Sequence, residues 1–329
     1  MLSSWLGLYY LSGMILGIWM VSSSSSWLLA WFGLELNLIC FIPFLMKEYK
    51  KHSNSGSVYF LTQAIGSLMM LMFSLFFWHL NKYTYWVNIA LFLKVGIAPF
   101  HFWYVQIAKE LSWMYFLMLS TIQKIAPLIL LSINKSDLFK MEFYFSIIIS
   151  SMVGGLGGLY TLSLRELLVY SSVNHLAWML IPLMYKNLFW VVYLVSYCIL
   201  LSLIVWMFKM FSLYHLNQLT SVKISWKMKT TLIISMMSFG GLPPFIGFIL
   251  KWGVLNEMNE KMNFLCLMIL IFASVISLYY YIRISLSIAL INSMNKIMFS
   301  VFFEKKISSL VIFINVVGLW VYPLMKMSF

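Results

Sequence analysis

The chain has 329 residues, of which 63% are hydrophobic, 18% aromatic and only 9% charged, with a formal net charge of +13. No soluble globule of this size could hide so much apolar surface, so the composition requires a polytopic membrane protein. The basic residues are spread among short loops with no block that reads as a nucleic-acid arm, so the charge is topological bias.

A helical span needs about 20 mostly apolar residues, and about eleven such stretches are predicted. They lie near residues 4–20, 27–46, 57–78, 85–105, 112–133, 143–163, 167–185, 188–211, 229–255, 262–291 and 307–325. They do not alternate as barrel strands do, so the fold class is all-α. The first apolar stretch lacks a basic start and is followed by Ser22–Ser26, a poor match for a cleavage site, so it reads as a span and not a leader. The second span carries an ionisable residue, Glu35.

The fourth span is interrupted by Lys94-Val95-Gly96-Ile97-Ala98-Pro99-Phe100-His101. Proline removes a helix hydrogen bond and clashes with the preceding turn. The fifth span holds Lys124 near its middle, followed by Ile125-Ala126-Pro127. The sixth contains Gly154-Gly155-Leu156-Gly157-Gly158, which lacks the Lys-Ser/Thr of a phosphate loop and reads as a site of close helix packing. The seventh contains Ser171-Ser172-Val173-Asn174-His175. Ser172 and His175 have no acidic partner nearby and no nucleophile elbow, so they do not make a hydrolase. The ninth span is broken at Gly240-Gly241-Leu242-Pro243-Pro244 and continues to Lys251.

Basic residues favour the side of the amino terminus by about two to one, which puts that terminus inside and, with an odd number of spans, the carboxyl terminus outside. If spans one to five and six to ten are repeats, the two broken helices hold the same ordinal place, and five spans per repeat inverts the second. The expected organisation is a first five-helix repeat over residues 1–133, a second over 143–291, and a loop with a C-terminal transmembrane helix over 292–329. Cys40, Cys198 and Cys266 lie far apart in apolar segments with no metal-ligand spacing, so disulfides and metal centres are not expected.

An ionised side chain at mid-bilayer costs roughly 2.5–3.5 kcal/mol on insertion scales, so such groups pair with one another or touch a water path. Lys124 lies too deep to snorkel to the surface and can accept and release protons. Glu35 and Lys94 can form a switchable proton pair, coupled enough that the proton belongs to both. Lys251 stands close enough to Asn256 and Glu257 for its stem to snorkel out, which makes it the weaker lysine on the residues alone. His101 and His175 are candidate relays. The constellation points to proton movement. A stand-alone cation/proton antiporter and a purely structural membrane spacer are the competing readings, and the lack of a second carboxylate in the central spans argues against a dedicated Na⁺ site.

At these residues the chain resembles the NADH dehydrogenase subunit 2 family of mitochondrial respiratory complex I, of arthropod type. The resemblance is carried by Trp31-Phe32-Gly33-Leu34-Glu35-Leu36-Asn37, the stretch from Lys94 to Trp103, Gln123-Lys124-Ile125-Ala126-Pro127, the stretch from Tyr170 to Trp178, and the stretch from Gly240 to Phe248. It implies an antiporter-like, proton-translocating subunit of the membrane arm, with a polar axis matched here by Glu35, Lys94, Lys124 and Lys251. It also implies an inner mitochondrial membrane location with the amino terminus in the matrix and the carboxyl terminus in the intermembrane space. No cofactor is expected in this chain, since flavin, iron–sulfur clusters and ubiquinone would be bound by other subunits. The implied partners are NADH dehydrogenase subunits 4 and 4L, the lateral helix of subunit 5, and phospholipids. The chain departs from the family pattern at Tyr160-Thr161-Leu162 and at Glu166 after Arg165, both near the inside surface.

Overall fold

A computed structural model of the chain describes residues 4–48, 55–76, 83–134, 140–185, 187–220, 225–258 and 264–289. The expected eleventh span and the loop before it lie outside these residues. The described helices are α1 (Ser4–Ser23), α2 (Trp27–Glu48), α3 (Ser55–Phe76), α4 (Tyr83–Val95), α5 (Phe102–Glu110), α6 (Trp113–Ser120), α7 (Ile122–Ile133), α8 (Lys140–Leu159), α9 (Leu164–Met184), α10 (Phe189–Met210), α11 (Trp226–Gly240), α12 (Ile246–Met258) and α13 (Phe264–Ala289). Among the described residues, eight stretches are helical, long and apolar enough to cross a membrane, and Thr84–Val95 and Ile246–Asn256 are shorter apolar helices.

The expected fourth and ninth spans are each two helices, as their glycine and proline residues require. The expected fifth span is also divided, which the sequence did not announce. α6 and α7 part at Thr121, whose backbone lies at φ −119 and ψ −75.

The chain divides into two compact units, Met1–Ser150 and Ser151–Phe329, with the division inside α8. In the first unit, α1 and α2 approach at backbone distance. A Cβ added at Gly17 would lie 2.8 Å from the Gly33 carbonyl oxygen, and one at Gly33 would lie 2.8 Å from the Gly17 carbonyl oxygen. Small residues let apolar helices gain van der Waals contact where lipid supplies no hydrophobic drive. Gly17→Leu should therefore destabilise the pair by about 1–3 kcal/mol. A lower thermal midpoint of the solubilised protein checks this. Gly7→Leu on the same helix, where an added Cβ meets nothing within 4 Å, should leave the midpoint unchanged.

α3 shows the logic of a membrane helix. Its buried face is Tyr59, Gln63, Gly66, Ser67, Met70 and Ser74, while Phe60, Leu61, Ile65, Leu68, Met72 and Leu75 are exposed. The polar stripe at helical spacing faces inward because lipid cannot hydrogen-bond it. In the second unit α9 is 94% buried, which makes it the helix the others surround. Its N-terminus is capped by Ser163, whose hydroxyl accepts from the Glu166 amide at 3.3 Å.

Candidate functional site

The two helix breaks are built alike. α4 ends at Gly96, which adopts φ +80, and α11 ends at Gly241, which adopts φ +86. The Gly96 amide donates to the Phe92 and Leu93 carbonyls, and the Ile97 amide donates to Phe92 at 3.1 Å. Likewise the Gly241 amide donates to Met237 and Ser238, and the Leu242 amide to Met237 at 3.2 Å. Each is a Schellman closure, which needs a left-handed residue and so selects glycine. Pro99 and Pro244 each follow three residues after the glycine, and the next amide turns back: Phe100 donates to Ile97 at 2.8 Å and Phe245 to Leu242 at 3.0 Å. Pro243 adds a second residue without an amide in the second link.

Lys94 sits on the last turn of α4 and is 5% exposed. Its stem passes over Gly66, where an added Cβ would lie 2.9 Å from the lysine Cγ. Glu35 is close enough for its charge to act on Lys94 and also on Tyr59. Side chains also reach the carbonyls at the break: Trp103 Nε1 donates to Leu93 at 3.0 Å and Gln63 Nε2 donates to Lys94 at 3.2 Å.

Lys124 is 3% exposed, and its Nζ stands 4.6 Å from the ring centroid of Tyr104. A cation over a buried aromatic face is stabilised by about 2 kcal/mol when desolvated. Its neighbour Gln123 ties the groups together. Gln123 Oε1 accepts from the Tyr59 hydroxyl at 3.1 Å, and Gln123 Nε2 donates to Asn37 Oδ1 at 3.2 Å. Glu35, Lys94 and Tyr59, with Gln123 bridging Tyr59 and Asn37, thus form one polar group in the first unit, in which Lys94, Tyr59 and Asn37 are buried and Glu35 and Gln123 are half-buried.

Lys251 in the second unit is 8% exposed, and it does not snorkel as its place near Asn256 suggested. Its Nζ donates to the Gly240 carbonyl at 2.9 Å, so the ammonium closes the carboxyl end of α11. A cation is favoured there because the last carbonyls carry the negative end of the helix dipole. A Cβ on Gly241 would lie 3.1 Å from the same Nζ, so the glycine makes room for the lysine as well as the turn.

His101 lies in the first break, where its carbonyl accepts from the Tyr104 and Val105 amides and starts α5. Its ring lies 4.3 Å from that of Phe102. His175 is buried on α9, with Nδ1 2.9 Å from the Tyr193 hydroxyl and its ring 4.6 Å from that of Phe239. Phe239 immediately precedes the glycine whose carbonyl receives Lys251.

Residue-by-residue reading missed Asn37, Tyr59, Gln63, Tyr104 and Gln123. A signal existed for some of them. Asn37 and Gln123 lie two and one residues from Glu35 and Lys124, and Tyr59 and Gln63 are four apart on the inward stripe of α3. A polar cluster also went unread, in which Asn88 Nδ2 donates to Glu142 at 2.9 Å and Asn134 Nδ2 donates to Asn88 at 2.7 Å. Among the described residues, no group of three or more His, Cys, Asp or Glu could hold a metal ion.

Broken helices of this form, with buried lysines on them, define an antiporter-like membrane protein, and the chain belongs to the NADH:quinone oxidoreductase/Mrp antiporter transmembrane family, whose profile matches residues 24–89 and 73–277. Its relatives include NADH-ubiquinone oxidoreductase chain 2 of Anopheles gambiae, 40% identical over 325 residues that cover 94% of each chain. The same protein of Locusta migratoria is 35% identical over 318 residues, covering 92% of this chain and 91% of that one. Two solved structures share the fold. A chain of respiratory complex I from Thermus thermophilus with bound aureothin matches at TM-score 0.81 and 19% identity, over 95% of this chain and 78% of that one. A chain of the Mrp complex from Dietzia sp. matches at TM-score 0.75 and 16% identity, over 88% of this chain and 61% of that one.

Proposed function

We propose that the chain is a proton-translocating, antiporter-like subunit in the membrane arm of NADH:ubiquinone oxidoreductase, driven by redox chemistry in other subunits. The carrying observation is that Lys94, Lys124 and Lys251 are all buried, each on or beside an interrupted helix. A permanent ion in such a place is costly, whereas a group that exchanges a proton carries charge only for part of a cycle. Opening and closing of the Glu35–Lys94 pair shifts the proton affinity of the Lys124 region, and protons then pass by way of water toward or from Lys251. His101 and His175 serve as relays.

The matching hydrogen bonds of the two breaks support two five-helix repeats, inverted in the membrane, with broken helices four and nine. In this reading the chain has eleven spans, its amino terminus faces the mitochondrial matrix and its carboxyl terminus the intermembrane space. Subunits 4, 4L and the lateral helix of subunit 5 are its neighbours, with phospholipid over the apolar faces. Flavin, iron–sulfur clusters and ubiquinone belong to other subunits of the assembly.

The test is Lys124→Ala in a complex that still assembles. The ratio of protons translocated to electrons passed should fall while NADH oxidation continues. An unchanged ratio refutes the role.

A further inference from the structure

One face of α13 is left uncovered along most of its length. Leu265, Met268, Phe272, Val275 and Tyr279 are each between 50% and 67% exposed. They recur at intervals of three or four residues, so they form a single stripe along the helix. Arg283 follows Tyr279 by four residues and continues that stripe, and it is the only charged residue of α13. At about 1.5 Å per residue it stands about 28 Å along the axis from Phe264, where the apolar span begins. The hydrocarbon core of a bilayer is about 30 Å thick. With Phe264 at one edge of that core, the guanidinium lies at the depth of the lipid phosphates at the other.

Arg283 is held in place by the end of α8. Its Nη1 donates to the Leu159 carbonyl at 3.2 Å and its Nη2 to the Thr161 carbonyl at 3.4 Å. Carbonyls at a helix end favour a cation, and the two bonds fix the plane of the guanidinium before any ligand arrives. A guanidinium carries five N–H donors, so closing α8 uses only part of its capacity. The same side chain lines an open cavity of about 370 Å³ with Leu162, Leu216, Asn217, Thr220 and Ser287. None of these six residues is acidic, so nothing in the lining repels an anion. The Ser287 hydroxyl donates to the Ile284 carbonyl at 2.7 Å and the Thr220 hydroxyl to the Asn217 carbonyl at 2.9 Å. Each can turn to a phosphate oxygen by rotation about one bond. Leu162, 66% exposed, gives the cavity an apolar lip.

We infer that this cavity binds the headgroup of an anionic phospholipid, with Arg283 on its phosphate and an acyl chain along the stripe from Tyr279 to Leu265. A planar guanidinium fork matches two phosphate oxygens at once, and the hydroxyls and the Asn217 amide add donors around it. The apolar stripe starts one helical turn from Arg283, so a ligand with both a phosphate and an acyl chain uses both surfaces, whereas a free phosphate uses only one. A choline headgroup would bring its own cation toward Arg283, which offsets the attraction, so the site favours a lipid with net negative charge. The inference rests on the reading above that phospholipid covers the apolar faces, and it does not depend on proton movement.

The test places the whole complex in nanodiscs with phosphatidylglycerol that carries a photoreactive diazirine on one acyl chain, and in parallel with phosphatidylcholine labelled in the same way. Labelling of α13 is then quantified by peptide mass spectrometry. In the unaltered complex phosphatidylglycerol should label α13 about tenfold more than phosphatidylcholine, the factor that one charge-assisted hydrogen bond supplies. Arg283→Gln keeps an amide for the α8 carbonyls and should bring the two lipids to equality. Lys227→Gln removes an exposed positive charge that does not line the cavity, and it should leave the preference unchanged. Equal labelling in the unaltered complex, an undiminished preference in Arg283→Gln, or an equal loss in Lys227→Gln overturns the site. Loss of the preference on adding inorganic phosphate alone shows that the cavity takes a free anion and overturns the lipid assignment. Labelling of α13 by neither lipid means that protein covers this face, and overturns the underlying reading there as well. Should Arg283→Gln not assemble, Ser287→Leu fills the cavity with the arginine in place. It should lower phosphatidylglycerol labelling to the phosphatidylcholine level, and undiminished labelling overturns the proposal.

Discussion

Gly247→Ala is expected to prevent the subunit from accumulating in the assembled complex. A Cβ at residue 247 would lie 1.8 Å from the Ser238 carbonyl oxygen, and 3.3 Å from the Gly241 Cα. These are backbone atoms, so no side-chain rotation relieves the overlap, and the first turn of α12 would have to move away from the end of α11. That displacement separates Lys251 from the Gly240 carbonyl and opens the Schellman closure at Gly241. The cost should be about 3 kcal/mol or more, at the upper end for overpacking. Native electrophoresis of the membrane complex measures it directly. Gly240→Ala, whose added Cβ would find the Tyr281 side chain nearest, at 3.2 Å, should be far milder. Equal and normal assembly of both variants would contradict the close backbone approach at the second break.

Lys251→Met should have the opposite signature: a complex that assembles and is stable but has lost the proton translocation proposed above for this subunit. Two effects oppose each other in stability. Removing the ammonium forfeits a charge-assisted hydrogen bond to Gly240 of about 1.5–3 kcal/mol. It also removes the desolvation penalty of a buried ion, which is several kcal/mol for an ion of this kind. Methionine keeps most of the stem's volume, so the net change should be small or favourable. Function has no such compensation, because a thioether neither binds nor releases a proton. The proton-to-electron ratio and the thermal midpoint, measured on the same preparation, separate the two. A normal ratio in a stable Lys251→Met complex would remove Lys251 from the path.

Much of the candidate site could be read from local sequence because its chemistry is improbable in lipid. Lys94, Lys124 and Glu35 stand out in apolar segments by their charge alone, and Gly96, Pro99, Gly241 and Pro244 announce breaks that any helix must respect. The direction of the Lys251 side chain was not legible, for a physical reason. A lysine near a helix end can point along the helix toward water or back toward a neighbouring helix, and linear spacing does not distinguish these. The structure turns it back onto Gly240. Thr121 escaped notice because threonine is an ordinary residue in an apolar span, and no neighbouring residue marks the irregular backbone it adopts. Gln123 and Tyr104 escaped because a neutral polar or aromatic residue in a span is compatible with simple packing, and only a partner across the bundle gives it a role.

The amino-acid sequence by itself determined that this protein is all-helical, with helices long and apolar enough to cross a membrane, and where two of its helices stop. Periodicity, apolar length, glycine and proline are local properties, and the bilayer permits few alternatives to a helix. Which buried groups meet was decided only by tertiary structure. Glu35 acting on Lys94, Gln123 joining Tyr59 to Asn37, Lys251 closing α11, and Tyr280 of α13 resting on Gly158 all depend on how helices pack against one another. That packing is set by small residues at close approach and by the need to satisfy every polar group away from lipid, and neither condition can be evaluated along a single segment.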